Sequence, residues 1–254
     1  MKVLITGAAG NLGCKLVDHF TLLQFSLTLL DCVAASGVIT ADLSRWNEDW
    51  AQHFSGVDIV VHLAGNPVAY HDWPQLIRPN IDAVMNTFEA AARYGVRRVI
   101  FASSNHVMGG YQDEPDCPIT EDLSPRPGLR YVADGAERFS GAYAASKLFG
   151  EQLGRHYAAV RGLQVIAIRI GWVWRGINEP THLPDERGEW FRQMWLSDRD
   201  YLQLMTCAVT ASLTEPFQIV NGMSANTGSR WDLSRVREKI GYEPQDDVTG
   251  KTLE

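Results

Sequence analysis

A glycine-rich turn near the amino terminus constrains the fold of this sequence more than any other feature. Residues 3–6 (VLIT) form a short apolar run that leads into Gly7, and Gly10 and Gly13 follow. A helical pattern then begins, with one apolar face formed by Leu12, Leu16, Val17, Phe20 and Leu23. A strand, a glycine turn and a helix in this order predict a dinucleotide-binding turn, because the glycines let the backbone approach a pyrophosphate at the helix N-terminus.

The acidic residue after the next apolar run indicates which dinucleotide fits. Residues 25–30 (FSLTLL) are predicted to form the second strand, and Asp31 follows directly. A carboxylate there accepts hydrogen bonds from the adenosine ribose hydroxyls, whereas a 2′-phosphate would meet a negative charge. No Arg or Lys lies between Lys15 and Arg45 to offset that charge. The sequence therefore predicts NAD rather than NADP.

Strand and helix patterns alternate along the first two thirds of the chain. Further apolar runs occupy residues 38–40, 58–63, 98–103 and 164–169, and helical patterns occupy residues 44–54, 75–94 and 142–160. Strands that are apolar throughout predict an α/β fold, a Rossmann-type doubly wound parallel sheet covered on both faces. We expect an NAD-binding domain over residues 1–170 and a small substrate-binding lobe over residues 171–254, packed closely enough to form one structural unit.

Composition excludes several classes of protein. The formal net charge is −7 and the longest basic run is the pair Arg97 and Arg98, so neither nucleic acid nor membrane is predicted as a partner. The four cysteines lack metal-ligand spacing, so no metal is predicted, and they suit a reducing compartment. The amino-terminal apolar run is already the first strand rather than a cleavable signal. A cytoplasmic protein is expected.

Two stretches break the alternation of strands and helices. Residues 105–141 form a long insertion rich in Pro, Gly and Asp, and residues 171–196 carry four of the eight tryptophans. Each follows a predicted strand, so both should leave the carboxyl edge of the sheet, where open α/β sheets bind ligands. Long irregular loops in a compact domain are usually either functional lids or disordered segments.

A tyrosine and a lysine after the first insertion suggest acid–base chemistry. Tyr143 and Lys147 are four residues apart, which places them on one face of a helix. An ammonium group beside a phenol favours the phenolate and lowers the phenol pKa toward neutrality. Any amphipathic helix can show this spacing by chance, so the pair gains meaning only from its context. Ser104, at the end of a predicted strand, adds a hydroxyl that can hydrogen-bond a substrate oxygen.

These motifs together resemble the short-chain dehydrogenase/reductase superfamily, and more closely its extended, epimerase/dehydratase-like branch. The resemblance covers roughly residues 1–175, in the family's order. It rests on the glycine turn, Asp31, Asp42 with Leu43, the segment HLAG at residues 62–65, Asn80, Ser104, and the Tyr143/Lys147 pair.

The resemblance implies a role for each of these residues. Ser104 and Tyr143 would activate the substrate, while Lys147 would bind the nicotinamide ribose and hold the Tyr143 pKa down. Asn80 would brace the sheet near the cofactor. The implied cofactor-binding residues are Gly7, Gly10, Asn11, Leu12, Asp31, Asp42, Leu43, Leu63, Ala64, Gly65, Asn80, Ser103, Tyr143, Lys147 and Ile170. The implied substrate-binding residues are Ser104, Asn105, His106, Tyr143, Arg187 and Arg192.

A narrower resemblance concerns two groups within this branch. Residues 103–106 (SSNH), 169–171 (RIG), 195–198 (WLSD) and 224–227 (SANT) are similar to uronate dehydrogenases, and residues 194–197 (MWLS) and 242–246 (YEPQD) are similar to NAD-dependent glucose-6-phosphate dehydrogenases. Both groups oxidise carbon 1 of a sugar. The resemblance therefore implies oxidation of the anomeric hydroxyl of a hexuronate, hexose or hexose phosphate to the lactone, with Tyr143 as the base. Homodimers or higher homo-oligomers are common in the superfamily.

This chain departs from the uronate dehydrogenases at the position that binds the substrate carboxylate. Those enzymes carry an arginine where Trp190 stands here, with Arg187 and Arg192 close by but out of register. A guanidinium suits carboxylate and phosphate alike, so the anion stays open. The tryptophans of residues 171–196 are interpreted either as packing of the small lobe or as an aromatic wall against a sugar face.

Two other functions compete with this interpretation. A nucleotide-sugar epimerase or dehydratase is disfavoured because only residues 171–254 follow the sheet, which is little for a domain that encloses a sugar and its nucleotide. Dehydratases of this type also place an Asp-Glu pair after the serine, where Asn105 and His106 stand here. A non-catalytic NAD sensor is disfavoured because Tyr143 and Lys147 are both present.

Overall fold

Strands and helices alternate throughout residues 1–250, the part of the chain that the computed structural model describes. The strands are β1 (Lys2–Thr6), β2 (Ser26–Asp31), β3 (Ile39–Thr40), β4 (Ile59–His62), β5 (Arg98–Ser104), β6 (Arg130–Ala133), β7 (Ala136–Phe139), β8 (Gln164–Ile170) and β9 (Phe217–Gly222). The α-helices are α1 (Asn11–Leu22), α2 (Glu48–Ala51), α3 (Trp73–Leu76), α4 (Ala83–Arg93), α5 (Gly141–Arg161), α6 (Gly188–Gln193), α7 (Asp198–Thr210) and α8 (Ser234–Ile240). No helix within residues 1–250 is long and apolar enough to cross a membrane.

Seven strands form one parallel sheet in the order β3-β2-β1-β4-β5-β8-β9. β1 lies between β2 and β4, with Val3 opposite Leu27 on one side and Ile59 on the other. The chain crosses from one half of the sheet to the other at this point, which opens a crevice beyond the carboxyl ends of β1 and β4. The predicted α/β fold with a Rossmann-type doubly wound parallel sheet is therefore confirmed.

Helices bury both faces of the sheet. Successive side chains of β1 point to opposite faces, so Val3 and Ile5 pack in one core with Leu16 of α1, while Leu4 packs in the other core with Phe88 of α4. All four of the core residues Val3, Leu4, Ile5 and Leu16 are fully buried. Burial on both faces explains why these strands read as continuous apolar runs instead of alternating polar and apolar residues.

The helix predicted over residues 44–54 is shorter than the sequence pattern suggests. It consists of α2 followed by a 3₁₀ turn, Gln52–Phe54. The side chain of Asn47 accepts a hydrogen bond from the backbone N–H of Asp49 and caps α2 at its start. Asp42 accepts hydrogen bonds from the backbone and hydroxyl of Ser44, which holds the preceding residues in a turn.

The insertion at residues 105–141 is more ordered than its composition suggests. It begins with a 3₁₀ helix, Asn105–Tyr111, and contains a hairpin in which β6 pairs with β7. Asp134 and Gly135 connect these two strands, and both adopt positive φ, of 52° and 68°. An Asp-Gly pair with this backbone is the turn that best matches the twist of a hairpin. The hairpin was not predicted from the sequence, although the Asp134-Gly135 dipeptide was a signal for it.

Residues 171–250 both complete the sheet and build a small lobe. β9 pairs with β8 as the seventh strand, which the sequence pattern did not predict. A further core joins the insertion to this lobe, with Tyr131 and Ile119 from the insertion packing beside Trp190 and Trp231. Because a strand of the main sheet lies beyond residue 170, the division at that residue remains a prediction.

A buried ion pair ties α5 to the centre of the sheet. Arg169 of β8 donates two hydrogen bonds to Glu151 of α5, at 2.9 and 3.0 Å, and Ser103 of β5 donates a third to the same carboxylate at 2.6 Å. The side chains of Arg169 and Glu151 are 1% and 0% exposed. Charges withdrawn from water this completely must compensate one another, so the pair holds α5 against β5 and β8.

We expect Glu151→Ala to destabilise the fold by about 3–5 kcal/mol, because it leaves the Arg169 guanidinium buried without its counter-charge. The free energy of unfolding in urea measures the effect. Glu243→Ala is the matched control, since Glu243 pairs with Arg237 where both side chains are more than half exposed. Equal losses in the two variants would show that the buried pair contributes no more than a surface pair.

Candidate active site

The glycine turn between β1 and α1 leaves no room for side chains. Gly7 has a φ of +71°, and a Cβ there would lie 2.7 Å from the backbone nitrogen of Ala64. A Cβ on Gly13 would lie 2.1 Å from the carbonyl oxygen of Gly7. α1 begins at Asn11, so the N–H groups of its first turn have no partner within the helix. The turn thus brings bare backbone and free amides together, which fits a pyrophosphate.

Asp31 lies where the adenosine ribose of a dinucleotide would bind. Its carboxylate is 7% exposed and accepts hydrogen bonds from the backbone N–H groups of Ala9 and Val33, both at 2.9 Å. These bonds fix the carboxylate beside the glycine turn. Hydrogen bonds from Ser44 lower the pKa of the neighbouring Asp42. Asp42 lies 4.0 Å from Arg45, and Arg78 also lines this cleft, so the charge of Asp42 is partly offset and the preference for NAD over NADP rests on Asp31.

A cleft of about 900 Å³ runs along the carboxyl edge of the sheet from this end to the Tyr143/Lys147 pair. All of the predicted cofactor-binding residues except Asn80 line it, as do Ser104, Asn105 and His106. The cleft is also lined by residues that no motif marked, among them Arg78, Trp172 and Arg175. The available signal for Trp172 and Arg175 was their position just after β8, since loops that follow parallel strands line ligand crevices.

Asn80 supports the cleft from behind. Its side chain accepts a hydrogen bond from the backbone N–H of Asn66 at 2.7 Å and donates to the carbonyl of Asn66 and the hydroxyl of Ser146. It therefore holds the loop after β4 against α5. A role in cofactor binding would be indirect, in keeping with the bracing role that the family resemblance implies.

Ser103 and Ser104 face opposite sides of β5. The hydroxyl of Ser103 is committed to Glu151, so its predicted contact with the cofactor would be made by the backbone. Ser104 ends the strand, and its hydroxyl accepts a hydrogen bond from the backbone N–H of His106 at 3.2 Å. The strand thus uses one serine to anchor α5 and presents the other to the cleft.

Tyr143 and Lys147 lie one helical turn apart on α5, facing the cleft. The ammonium nitrogen of Lys147 is 5.7 Å from the centre of the Tyr143 ring and donates a hydrogen bond to the carbonyl of Ala102 at 2.9 Å. Burial lowers the pKa of Lys147 to about 8, and the amine still carries a proton at neutral pH. The predicted pairing of these two side chains on one helix face is confirmed.

The prediction that Lys147 holds the Tyr143 pKa down stays a prediction, since Lys147 is not among the groups that shift this pKa in the protein alone. Burial raises the pKa of the Tyr143 phenol to about 12, and the nearby Ser104 hydroxyl offsets only part of this effect. Desolvation disfavours the charged phenolate more strongly than the surroundings stabilise it. In the protein alone the phenol is therefore protonated near neutrality.

Asn105 and His106 follow Ser104 and are held in different ways. Asn105 donates a hydrogen bond to the carbonyl of Ile170, while its side-chain oxygen is buried without a partner among the described residues. The Nδ1 atom of His106 lies 2.7 Å from the Ser140 hydroxyl, and its ring centre lies 5.6 Å from that of Tyr143. Burial lowers the pKa of His106 to about 3, with a smaller contribution from Arg187. A neutral imidazole therefore stands beside the phenol.

The two candidate arginines of the second loop have different surroundings. Neither Arg187 nor Arg192 lines the cleft, and Arg192 lies 3.8 Å from the exposed carboxylate of Asp185. Arg187 lies over the ring of Tyr131, at 5.1 Å, next to His106. Of the two, only Arg187 is near the predicted catalytic residues. Among residues 1–250 no group of three or more His, Cys, Asp or Glu side chains is arranged to hold a metal ion.

Asp31→Asn is expected to raise the affinity for NADPH relative to NADH by about tenfold, because it removes the charge that would repel a 2′-phosphate. Fluorescence titration with both reduced cofactors measures the ratio. Asp58→Asn is the matched control, since Asp58 accepts a hydrogen bond from the Lys2 backbone at the opposite edge of the sheet. An unchanged ratio in the Asp31 variant would show that this carboxylate does not select the cofactor.

Comparisons with known proteins agree with this geometry. The model of the NAD dependent epimerase/dehydratase family matches residues 3–174. The chain is 34% identical to an NAD-dependent glucose-6-phosphate dehydrogenase of Haloferax volcanii, over 99% of this chain and 96% of that protein. It is 35% identical to an L-arabinose 1-dehydrogenase (NAD(P)+) of the same organism, over 96% of each chain.

A solved structure extends the likeness to three dimensions. A uronate dehydrogenase variant from Agrobacterium tumefaciens complexed with NAD superimposes with a TM-score of 0.80 at 27% identity, over 98% of this chain and 86% of that one. The family match covers the glycine turn, Ser104 and the Tyr143/Lys147 pair. The chain therefore belongs to the NAD-dependent epimerase/dehydratase family, and it is an oxidoreductase whose cofactor is NAD.

Proposed function

We propose that this protein oxidises the anomeric C1 hydroxyl of an aldose to the lactone, with Tyr143 as the general base. One observation carries the proposal: the Tyr143 phenol, the Ser104 hydroxyl and the Lys147 ammonium converge on the same cleft as the glycine turn and Asp31. The relatives and the solved structure described above are dehydrogenases of a hexose phosphate, a pentose and a uronate. Their common chemistry is removal of hydrogen from a sugar.

Each of the residues Tyr143, Ser104 and Lys147 has a separate role in the proposed reaction. Bound NAD supplies the redox chemistry by accepting hydride from C1. The Tyr143 phenolate takes the proton of the C1 hydroxyl, so that the departing hydride and proton leave a carbonyl at C1. The Ser104 hydroxyl donates a hydrogen bond to the same sugar oxygen and holds it beside the phenol. The ammonium of Lys147 would bind ribose hydroxyls of the cofactor.

The high pKa of Tyr143 couples proton transfer to cofactor binding. In the protein alone, burial keeps the phenol protonated, with a pKa of about 12. Oxidised nicotinamide is positively charged, and a positive charge near a phenol favours its phenolate. The Lys147 ammonium, on the same face of α5, would add a second positive charge. We therefore infer that Tyr143 becomes an effective base only in the cofactor complex.

A substrate panel tests the proposed function. NADH formation is measured with glucose, galactose, arabinose, glucuronate, galacturonate and glucose 6-phosphate, and each product is identified as a lactone or another species. Steady NADH release with at least one aldose and formation of its lactone support the proposal. A protein that retains NAD through purification and interconverts sugars without net NADH would instead be an epimerase.

Tyr143→Phe is expected to lower kcat by about 10²–10⁴-fold, because the ring remains but the proton acceptor is lost. Steady-state NADH formation measures kcat, and a separate titration shows whether NAD still binds. Tyr157→Phe is the matched control on the same helix, since the Tyr157 hydroxyl donates to Glu89 away from the cleft. Normal turnover by the Tyr143 variant with every active sugar would exclude this residue as the base.

The rate of sugar oxidation should rise with pH. Below the pKa of a base, the reactive phenolate fraction grows tenfold with each pH unit, so kcat/KM increases between about pH 6 and about pH 8. Above this range Lys147, whose pKa is lowered to about 8, loses its charge and the rise should level off. A pH profile of kcat/KM checks both parts. A rate that falls from neutrality toward pH 8 would contradict the assignment of a phenolate base.

A further inference from the structure

Two arginines from the two long insertions meet beside Tyr131. Arg138 of β7 is the direct cross-strand partner of Tyr131 in the hairpin, which places both side chains on one face of it. Arg187 ends the 3₁₀ turn Asp185–Arg187, which packs against β6. Its guanidinium carbon lies 5.1 Å from the Tyr131 ring centre and 5.6 Å from that of Phe191. Two positive charges thus flank one phenol.

Each of these guanidinium groups has an unsatisfied hydrogen-bond donor. The Nε atoms of Arg138 and Arg187 are both buried without a hydrogen-bond partner among the described residues. The flat faces of the two groups stack on aromatic rings, since Arg138 also lies 4.3 Å from the ring centre of Tyr70. A guanidinium that lies over a ring can still bind anions through its N–H edges, although Arg187 uses part of its edge in a hydrogen bond to Tyr131. Buried donors without partners need such an explanation.

No carboxylate among the described residues neutralises this pair of arginines. Neither Arg138 nor Arg187 takes part in an ion pair within residues 1–250. The acidic side chain next to Arg187 along the chain, that of Glu186, accepts hydrogen bonds from the backbone N–H groups of Asp134 and Gly135. Glu186 therefore holds the tip of the hairpin in place. Two uncompensated positive charges remain beside a neutral phenol, whose pKa is raised by burial.

The two arginines and Tyr131 lie behind His106, which lines the cleft, although none of the three lines it directly. The ring of His106 contacts Tyr143 on one side, at 5.6 Å between centres, and Tyr131 on another, at 5.9 Å. Tyr131 and its arginines are thus separated from the Tyr143 phenol by a single imidazole. A sugar whose C1 hydroxyl bonds Tyr143 would reach this cluster only if its far end extended past His106.

We propose that Arg138, Arg187 and Tyr131 form an anion subsite that binds a phosphate group at the far end of the sugar. The preferred substrate is then a phosphorylated aldose, an inference that rests on the proposed oxidation at C1. A phosphate dianion matches the charge of two guanidinium groups, and its oxygens can accept hydrogen bonds from both of them. A carboxylate carries one charge and would leave one of the two arginines uncompensated.

The test compares substrates that differ only at the far end of the chain. kcat/KM is measured for glucose 6-phosphate, glucose and glucuronate with the wild-type protein and with Arg138→Gln and Arg187→Gln. We expect wild type to prefer glucose 6-phosphate, and each substitution to lower the ratio of kcat/KM for glucose 6-phosphate to that for glucose by about tenfold or more. NAD titration of each variant shows that the cofactor site is intact.

Arg130→Gln is the matched control. Arg130 lies on the same hairpin next to Tyr131, but on the opposite face, where it stacks over Phe139. Its substitution should leave the ratio unchanged. A wild-type preference for glucuronate that depends on Arg187 would overturn the phosphate assignment while C1 oxidation stands. An equal loss of kcat/KM with glucose and with glucose 6-phosphate would show that the two arginines have only a structural role. Failure of wild type with every aldose would instead overturn the proposed function.

Discussion

The buried ion pair between Arg169 and Glu151 determines where α5 lies, and the rest of the active site depends on that position. The carboxylate of Glu151 is bound by Arg169 of β8 and by Ser103 of β5, so two neighbouring strands fix one helix. Lys147 lies one turn before Glu151 on the same helix. Ser104 lies one residue beyond Ser103. The buried carboxylate of Glu151 thus fixes the positions of Lys147 and Ser104 relative to each other.

The carboxyl edge of the parallel sheet explains why distant segments meet in one cleft. Every strand of a parallel sheet ends at the same edge, so the glycine turn, Asp31, Ser104 and the loop after β8 converge there. The two insertions also leave from this edge, and they pack on each other through the core that contains Tyr131 and Trp190. The sheet edge therefore supplies the glycine turn and Asp31 to one end of the cleft, and the first insertion supplies Asn105 and His106 to the other.

Desolvation governs the electrostatics of the site. Burial raises the pKa of Tyr143 to about 12 and lowers those of Lys147 and His106 to about 8 and about 3. Each shift disfavours the charged form of the side chain, so the Tyr143 phenol and the His106 imidazole are neutral in the protein alone. The positive charge of an oxidised nicotinamide would favour the phenolate of Tyr143, so the proposed base would be most effective with the cofactor bound.

The sequence by itself determined the cofactor turn, the parallel sheet and the Tyr143/Lys147 pair, because each depends on neighbouring residues: glycine spacing, apolar runs, and a helical period. The Asp134-Gly135 dipeptide also indicates a hairpin turn, although the insertion as a whole has the composition of an irregular loop. Only the tertiary structure decided the pKa of Tyr143, the pairing of Glu151 with Arg169, and which arginine lies near His106. Burial and contacts between residues far apart in sequence arise from packing, and no local pattern encodes them.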